Sequence, residues 1–197
     1  MARFAIDVTA CWRPQRVGML TVAVELSRAL VAGRLVEGRE ADEFVLLCSR
    51  ERPDPLGDVD CEAVLSPYRH ELVLKSRWLP AVESQLGADA ILYPYWPSPP
   101  FRAAGAPPAA IFVHDLAFHI RPAEVPWQQR IYFTVVLPRA LHQAAAVLVP
   151  SETTRDDLLR IYPFPGLANK VQVVPEGLTA SPPTGSLPEG VDPGFLL

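Results

Sequence analysis

The stretch Ala109-Ala110-Ile111-Phe112-Val113-His114-Asp115 decides the fold. An unbroken apolar run leads directly into two polar, chemically active side chains. A run of this kind is typical of a strand covered on both faces, as in parallel sheets. Similar runs occur at residues 44–48 and 90–93, and segments of helical periodicity lie between them. The sequence therefore predicts an α/β domain with a doubly wound, mostly parallel, Rossmann-like sheet.

Working outward from this strand, we predict seven strands, at residues 4–8, 44–48, 63–65, 90–93, 109–113, 145–149 and 170–174. A first helix is expected over residues 17–32, with Leu20, Val24, Ser27 and Val31 facing inward and Gly33 as its end.

Three further helices are predicted. One covers residues 68–86, stops at Gly87, and has Leu72, Leu79, Val82 and Leu86 on its inner face. Another opens at Pro126, and Pro138 is expected to kink or split it because proline supplies no N–H to the preceding turn. The last runs from its cap at Ser151 to Tyr162.

Composition places the chain among folded globular domains. It has 197 residues, of which 49% are hydrophobic and 20% charged, and its net charge of −4 supplies no basic field for nucleic acid. Three cysteines without a CxxC pair suit a reducing compartment. Asp7 interrupts the apolar run that a signal peptide would need, so a cytoplasmic location is expected.

Residues 180–194 are rich in proline, glycine and serine and are expected to be a linker. The apolar residues 195–197 that follow look like the start of another strand. The predicted organisation is therefore one domain over residues 1–179, a linker over 180–194, and the beginning of a second domain at 195–197.

Several well-known catalytic and nucleotide-binding motifs are absent from the sequence. No GxGxxG follows the first strand, and there is no GxxxxGK[ST] or GxSxG. The four histidines have no spacing typical of a zinc site, so no metal and no cofactor are predicted.

An ordered set of short motifs resembles the N-terminal domain of a GT-B fold glycosyltransferase of family 4. The matching pieces are Val17-Gly18 with Thr21, Val113-His114-Asp115-Leu116, Val149-Pro150-Ser151-Glu152-Thr153, and Lys170-Val171-Gln172-Val173-Val174-Pro175-Glu176-Gly177. Glu176 departs from the asparagine usual before that glycine, and Arg16 replaces a glycine of the first loop.

The resemblance implies one half of a two-domain, retaining, hexosyltransferase-like enzyme that moves a sugar from a nucleotide-sugar donor to an unknown acceptor. The missing second domain would supply most donor contacts, so this piece alone would be inactive. A nucleotide-sugar epimerase and a non-catalytic sugar- or nucleotide-binding module remain as alternatives. No metal is implied.

His114 is the predicted catalytic residue. It follows a buried strand at the ligand edge of the sheet, where an imidazole can hydrogen-bond a sugar hydroxyl or a phosphate oxygen. The alternative is a histidine that holds its loop through a backbone carbonyl. Asp115 and Ser151 are also candidates for substrate binding, although a loop-capping carboxylate and a helix cap explain them well.

Two more groups of residues are candidate substrate ligands. Gly18 precedes the first helix, whose N–H groups favour an anion, and Arg16 could add a positive charge. Tyr95 and Trp96 present aromatic faces suited to a sugar or lipid acceptor, and packing of a proline-rich loop explains them equally well.

Membrane association is a weaker expectation. Relatives dock on membranes through a basic, aromatic helix, and residues 68–86 carry Arg69, His70, Lys75, Arg77 and Trp78. These basic groups are few for that purpose, so a solvated helix face is the better interpretation.

Overall fold

The computed structural model describes residues 1–11, 18–36, 41–68, 70–95 and 97–177. Arg16 and Trp96 fall outside these ranges, as do the predicted linker at 180–194 and the apolar residues 195–197. The predicted linker and second domain therefore stay predictions.

Seven parallel strands form one sheet in the order β3-β2-β1-β4-β5-β6-β7. The strands are β1 (Arg3–Asp7), β2 (Glu43–Cys48), β3 (Glu62–Leu65), β4 (Ala90–Tyr93), β5 (Ala109–Phe112), β6 (Ala146–Val149) and β7 (Val171–Val173). Phe4 of β1 pairs with Phe44 of β2 on one side and with Ala90 of β4 on the other. This arrangement confirms the predicted doubly wound, Rossmann-like α/β domain.

Helices cover the sheet and close two apolar clusters. They are α1 (Gly18–Val36), α2 (Glu71–Val73), a π-helical turn (Leu74–Trp78), α3 (Leu79–Glu83), α4 (Ala117–Ile120), α5 (Trp127–Gln143) and α6 (Glu152–Ile161), with 3₁₀ turns at Asp54–Leu56 and Pro122–Glu124. Helix α1 packs on Ile6, Val8 and Leu46, whereas α3, α5 and α6 join the cluster around Ile111. No helix in the described ranges is long and apolar enough to cross a bilayer.

Helix α1 has the predicted inner face, because Leu20, Val24, Ser27 and Val31 are all buried. The predicted end at Gly33 is wrong: the helix continues to Val36. A Cβ on Gly33 would meet nothing within 4 Å, and its φ is not positive, so this glycine has no capping conformation.

The predicted inner face of residues 68–86 is partly wrong. Leu79 is buried as expected, but Leu72 is 64% exposed, while Leu74 and Lys75 point inward. The π-helical turn at Leu74–Trp78 changes the angular spacing of the side chains, so a pattern with constant helical period fails here.

Pro138 does not split its helix, since α5 is continuous from Trp127 to Gln143. The helix begins one residue after Pro126, which is the N-cap. Arg139 donates a side-chain hydrogen bond of 3.1 Å to the Val135 carbonyl, which is one turn back and next to the carbonyl that Pro138 leaves without a donor.

Candidate active site

The strand order places the candidate site at the carboxyl edge of the sheet. The order reverses between β1 and β4, and in open parallel sheets ligands bind beyond the strand ends near such a reversal. His114 follows β5, the strand next to β4, and its Nε2 lies 2.7 Å from the carbonyl oxygen of Pro94 at the end of β4. The predicted catalytic residue thus bridges two neighbouring strand ends.

Both ring nitrogens of His114 have protein partners. Nδ1 lies 3.0 Å from Oε1 of Glu176, which follows β7, and the ring stacks on Phe112 with 4.5 Å between centroids. A carbonyl oxygen only accepts, so Nε2 donates to the Pro94 carbonyl, and Nδ1 faces the Glu176 carboxylate. The side chain of His114 is 7% exposed and that of Glu176 is 37% exposed. The ring is therefore fixed in orientation, and its solvent-facing contact is with Glu176.

Glu176 is a residue that sequence reasoning missed as part of this site. Two features of the sequence point to Glu176: it departs from the family pattern, and it follows the last strand at the same edge of the sheet. Its partner lies 62 residues away in the chain, so the contact itself could not be predicted locally.

The other predicted site residues within the described ranges, Gly18, Tyr95, Asp115 and Ser151, lie at the same edge in different roles. Asp115 Oδ1 accepts a 2.8 Å hydrogen bond from the backbone N–H of Ala117, and Ser151 Oγ accepts one of 3.1 Å from Thr154 at the start of α6. Tyr95 lines the same cavity as His114, and Gly18 is the first residue of α1. Ser151 therefore caps α6, and Asp115 closes the turn that leads into α4.

An apolar cavity lies beside His114. Its volume is about 180 Å³, and its walls come mainly from β5, α4 and α5 and from Met19 near the start of α1. Phe118 and Phe133 face each other in its wall with ring centroids 5.0 Å apart. The edge of the sheet thus combines an oriented imidazole with an apolar pocket.

A buried ion pair fixes the carboxyl end of β1. Asp7 Oδ2 lies 2.6 Å from Lys75 Nζ, and Asp7 Oδ1 accepts hydrogen bonds from the backbone N–H and the hydroxyl of Thr9. Lys75 is in the π-helical turn, so this pair ties the end of the central strand to the helical layer. Lys75 is consequently unavailable to a membrane, which weakens the case for residues 68–86 as a docking helix.

A second buried polar cluster lies under β4. Glu83 accepts a hydrogen bond from the Tyr93 hydroxyl and one of 2.8 Å from Arg102 Nε. Burial raises the pKa of Glu83, and the bonds from Tyr93 and Arg102 oppose that shift. Burial also raises the pKa of Tyr93 well above its usual value. Arg102 further donates to the Pro107 carbonyl, so the cluster anchors the loop between β4 and β5.

No three His, Cys, Asp or Glu side chains within the described ranges are grouped as a metal site requires. The described edge offers hydrogen-bonding groups and apolar contact.

Comparison with known families gives one decisive finding. The family description "Glycosyltransferase Family 4" matches residues 18–181, most of the chain and all of the sheet after β1. The chain belongs to Glycosyltransferase Family 4. A comparison with curated proteins found no match. The seven-stranded parallel sheet of this family 4 domain agrees with one half of a GT-B architecture.

Proposed function

We propose that this family 4 domain is the acceptor-side half of a retaining glycosyltransferase. It binds an acceptor hydroxyl beside His114, while a second domain presents a hexose on a nucleotide-sugar donor. The observation that carries the proposal is the position of His114, which is held by contacts at both ring nitrogens and lies one strand from the strand-order reversal of a family 4 sheet. Cys11, Cys48 and Cys61 form no disulfide, which supports a reducing, cytoplasmic setting.

His114 is proposed to bind substrate through its Nδ1 side. The Pro94 carbonyl is buried at the sheet edge, whereas the Glu176 carboxylate is partly exposed and can be exchanged for a ligand oxygen. In that position a sugar hydroxyl would donate a hydrogen bond to Nδ1 or accept one from it, and a phosphate oxygen would accept one from it. In the transfer, the acceptor oxygen forms a bond to the anomeric carbon and loses its proton, and the nucleotide leaves with the electrons of the broken bond and takes up that proton on its phosphate oxygen.

The donor domain is proposed from the two-domain architecture of the family. Arg16, Gly18, Tyr95, Trp96, Asp115 and Ser151 remain proposed substrate ligands. The nucleotide-sugar epimerase and the non-catalytic module are not favoured by the family match.

The test compares the 197-residue chain alone with a longer protein in which this domain is followed by a donor-binding second domain. Each is incubated with a panel of nucleotide sugars and acceptors, nucleotide release is measured, and the anomeric configuration of the product is read by NMR. We expect retained-configuration transfer by the longer protein and none by the shorter one. Transfer by the shorter chain would refute the need for a second domain, and acceptor-independent epimerisation would refute the transferase assignment.

A further inference from the structure

The cavity beside His114 has a lining of unusual composition for a site that would hold a polyol. Most of its wall is aliphatic or aromatic, from Met19, Phe112, Phe118, Val125, Phe133 and Leu137. Phe112, Phe118 and Leu137 are buried, so this wall belongs to the packed core rather than to a loose surface. The cavity is therefore a preformed apolar space that opens at the candidate site.

Few polar groups in the lining have hydrogen-bonding capacity left. Both nitrogens of His114 are bonded to Glu176 and Pro94, and Asp115 Oδ1 accepts from Ala117. Tyr95 and Gln129 are the other polar side chains in the wall: Tyr95 is half-buried and brings one phenolic hydroxyl, and Gln129 is exposed at the rim. A sugar ring in the interior would lose its water without gaining equivalent partners, which is unfavourable. An apolar group has no hydrogen bonds to water, so it would lose none on entering the cavity.

The volume sets the size of the group. A dry apolar cavity of ~150 Å³ binds benzene, and the cavity here measures about 180 Å³. It therefore suits an alkyl or aryl group of about six carbon atoms. A longer chain would have to leave the cavity again at the rim.

We infer that this cavity binds the apolar part of the acceptor, an alkyl or aryl group of about six carbon atoms attached near the hydroxyl that receives the sugar. The stack of His114 on Phe112 makes the catalytic imidazole continuous with the apolar wall. An acceptor that is polar at one end and apolar at the other would place its hydroxyl at His114 and its apolar group among Phe118, Phe133 and Leu137. This inference rests on the proposed function, because only a transferase has an acceptor. The binding that it predicts can nevertheless be measured without turnover.

The experiment measures binding of methyl, butyl, hexyl, octyl and decyl β-glucosides to the 197-residue chain by calorimetry, below the micellar concentration of each. We expect the dissociation constant to fall by about fourfold for each methylene buried, and to level off at about the hexyl compound because the cavity is then full. Phenyl glucoside should bind about as well as the hexyl compound.

A matched pair of variants locates the binding. Ala117 lines the cavity, and Ala117→Phe would fill it from the rim, whereas Ala123 is exposed and does not line it. Ala117→Phe should abolish the dependence on chain length, and Ala123→Phe should keep it. Thermal unfolding of both variants checks that they fold.

Three results would overturn the inference. One is affinity that does not depend on chain length. Another is affinity that keeps rising through the decyl compound, which would indicate adsorption to an exposed apolar surface such as that around Trp127 and Ile131. The third is a length dependence that a folded Ala117→Phe variant retains. Length-dependent binding without transfer by the longer protein would instead contradict the proposed function alone.

Discussion

The ammonium nitrogen of Lys75 lies 2.6 Å from Oδ2 of Asp7, and the two side chains are only 5% and 4% exposed. The Lys75 nitrogen also lies 5.9 Å from the centre of the Tyr93 ring. Both charges have left water, so each depends on the other for compensation. A pair of this kind adds little net stability as a whole, but loss of one member is costly.

Lys75→Met should therefore destabilise the domain strongly. It leaves the Asp7 carboxylate buried and without its cation, which costs about 3–5 kcal/mol. The double variant Asp7→Asn with Lys75→Met should cost clearly less, because no uncompensated charge remains. Urea denaturation of the two single variants and the double variant gives the coupling energy.

Arg155 pairs with Glu152 on the exposed surface and supplies the control, since Arg155→Met should have a far smaller effect on the free energy of unfolding. A Lys75→Met variant as stable as the wild type would show that the buried pair contributes nothing.

Glu83 should make stability depend on pH. Its pKa is raised in the folded protein, mainly by burial, so the folded state binds the proton more tightly than the unfolded chain, whose carboxyl titrates near 4.5. The contribution of Glu83 to the free energy of unfolding therefore falls as the pH rises from about 4.5 to the raised pKa, and is constant above it.

Glu83→Gln removes this titration. The stability of the wild type minus that of the variant should decrease with rising pH through this window, as measured by urea denaturation from about pH 4 to about pH 8. Arg102→Lys leaves the titrating carboxyl in place and is the control. A difference that grows with pH would contradict the direction of the shift.

His114→Ala should lower turnover of the transfer-competent protein by about a hundredfold, the usual effect of losing a positioned proton or oxygen partner. Thermal unfolding and turnover per folded molecule are both measured. Glu176→Gln keeps an acceptor oxygen near Nδ1 and should have a smaller effect on turnover than loss of the ring. An unstable but fully active His114→Ala variant would leave this histidine with a purely structural role.

Ser151→Ala should cost about 1 kcal/mol of stability because α6 loses its N-cap. Ser151→Asp should restore that stability, since aspartate caps as well as serine. If Ser151 only caps, activity per folded molecule is the same in all three proteins. Restored stability with lost activity in Ser151→Asp would instead indicate a substrate contact at this hydroxyl.

Gly33→Ala should stabilise the domain by about 0.5–1 kcal/mol, because alanine loses less conformational freedom in a helix. The added methyl group meets no atom within 4 Å. Gly87 is the matched control: its φ of 58° is a conformation that alanine adopts at a cost, so Gly87→Ala should be destabilising. Chemical denaturation measures the free energy of unfolding of both variants. A Gly33→Ala variant less stable than the wild type would contradict the helical conformation of Gly33.

Local pattern was sufficient for most of the fold. The strand over Ala90–Tyr93 was predicted to the residue, and the continuous apolar run at residues 109–113 located β5 within one residue. Ser151 was recognised as a cap because residue type and position both fit. These features depend on neighbours in the sequence, which is why sequence reasoning could find them.

The features that could not be predicted from the sequence depend on contacts between residues far apart in the chain. A lysine in a helical segment is typical of an exposed position, but Lys75 contacts Asp7, which is 68 positions earlier in the chain. The π-helical turn that contains Lys75 also changes the helical period, so that Leu72 is exposed. The partners of His114 follow two other strands, so its orientation depends on the assembled sheet. The position of the site was predictable from topology, but its hydrogen bonds were not.

The place of β1 in the middle of the sheet has a consequence for biosynthesis. Its partner β2 ends at Cys48, but its other partner β4 ends only at Tyr93. At a translation rate of about 5–20 residues per second, roughly 2–9 seconds separate the emergence of the two partners from the ribosome. During that interval the apolar strand Arg3–Asp7 has one unpaired edge, which makes the nascent chain a natural client for chaperones that bind extended apolar segments.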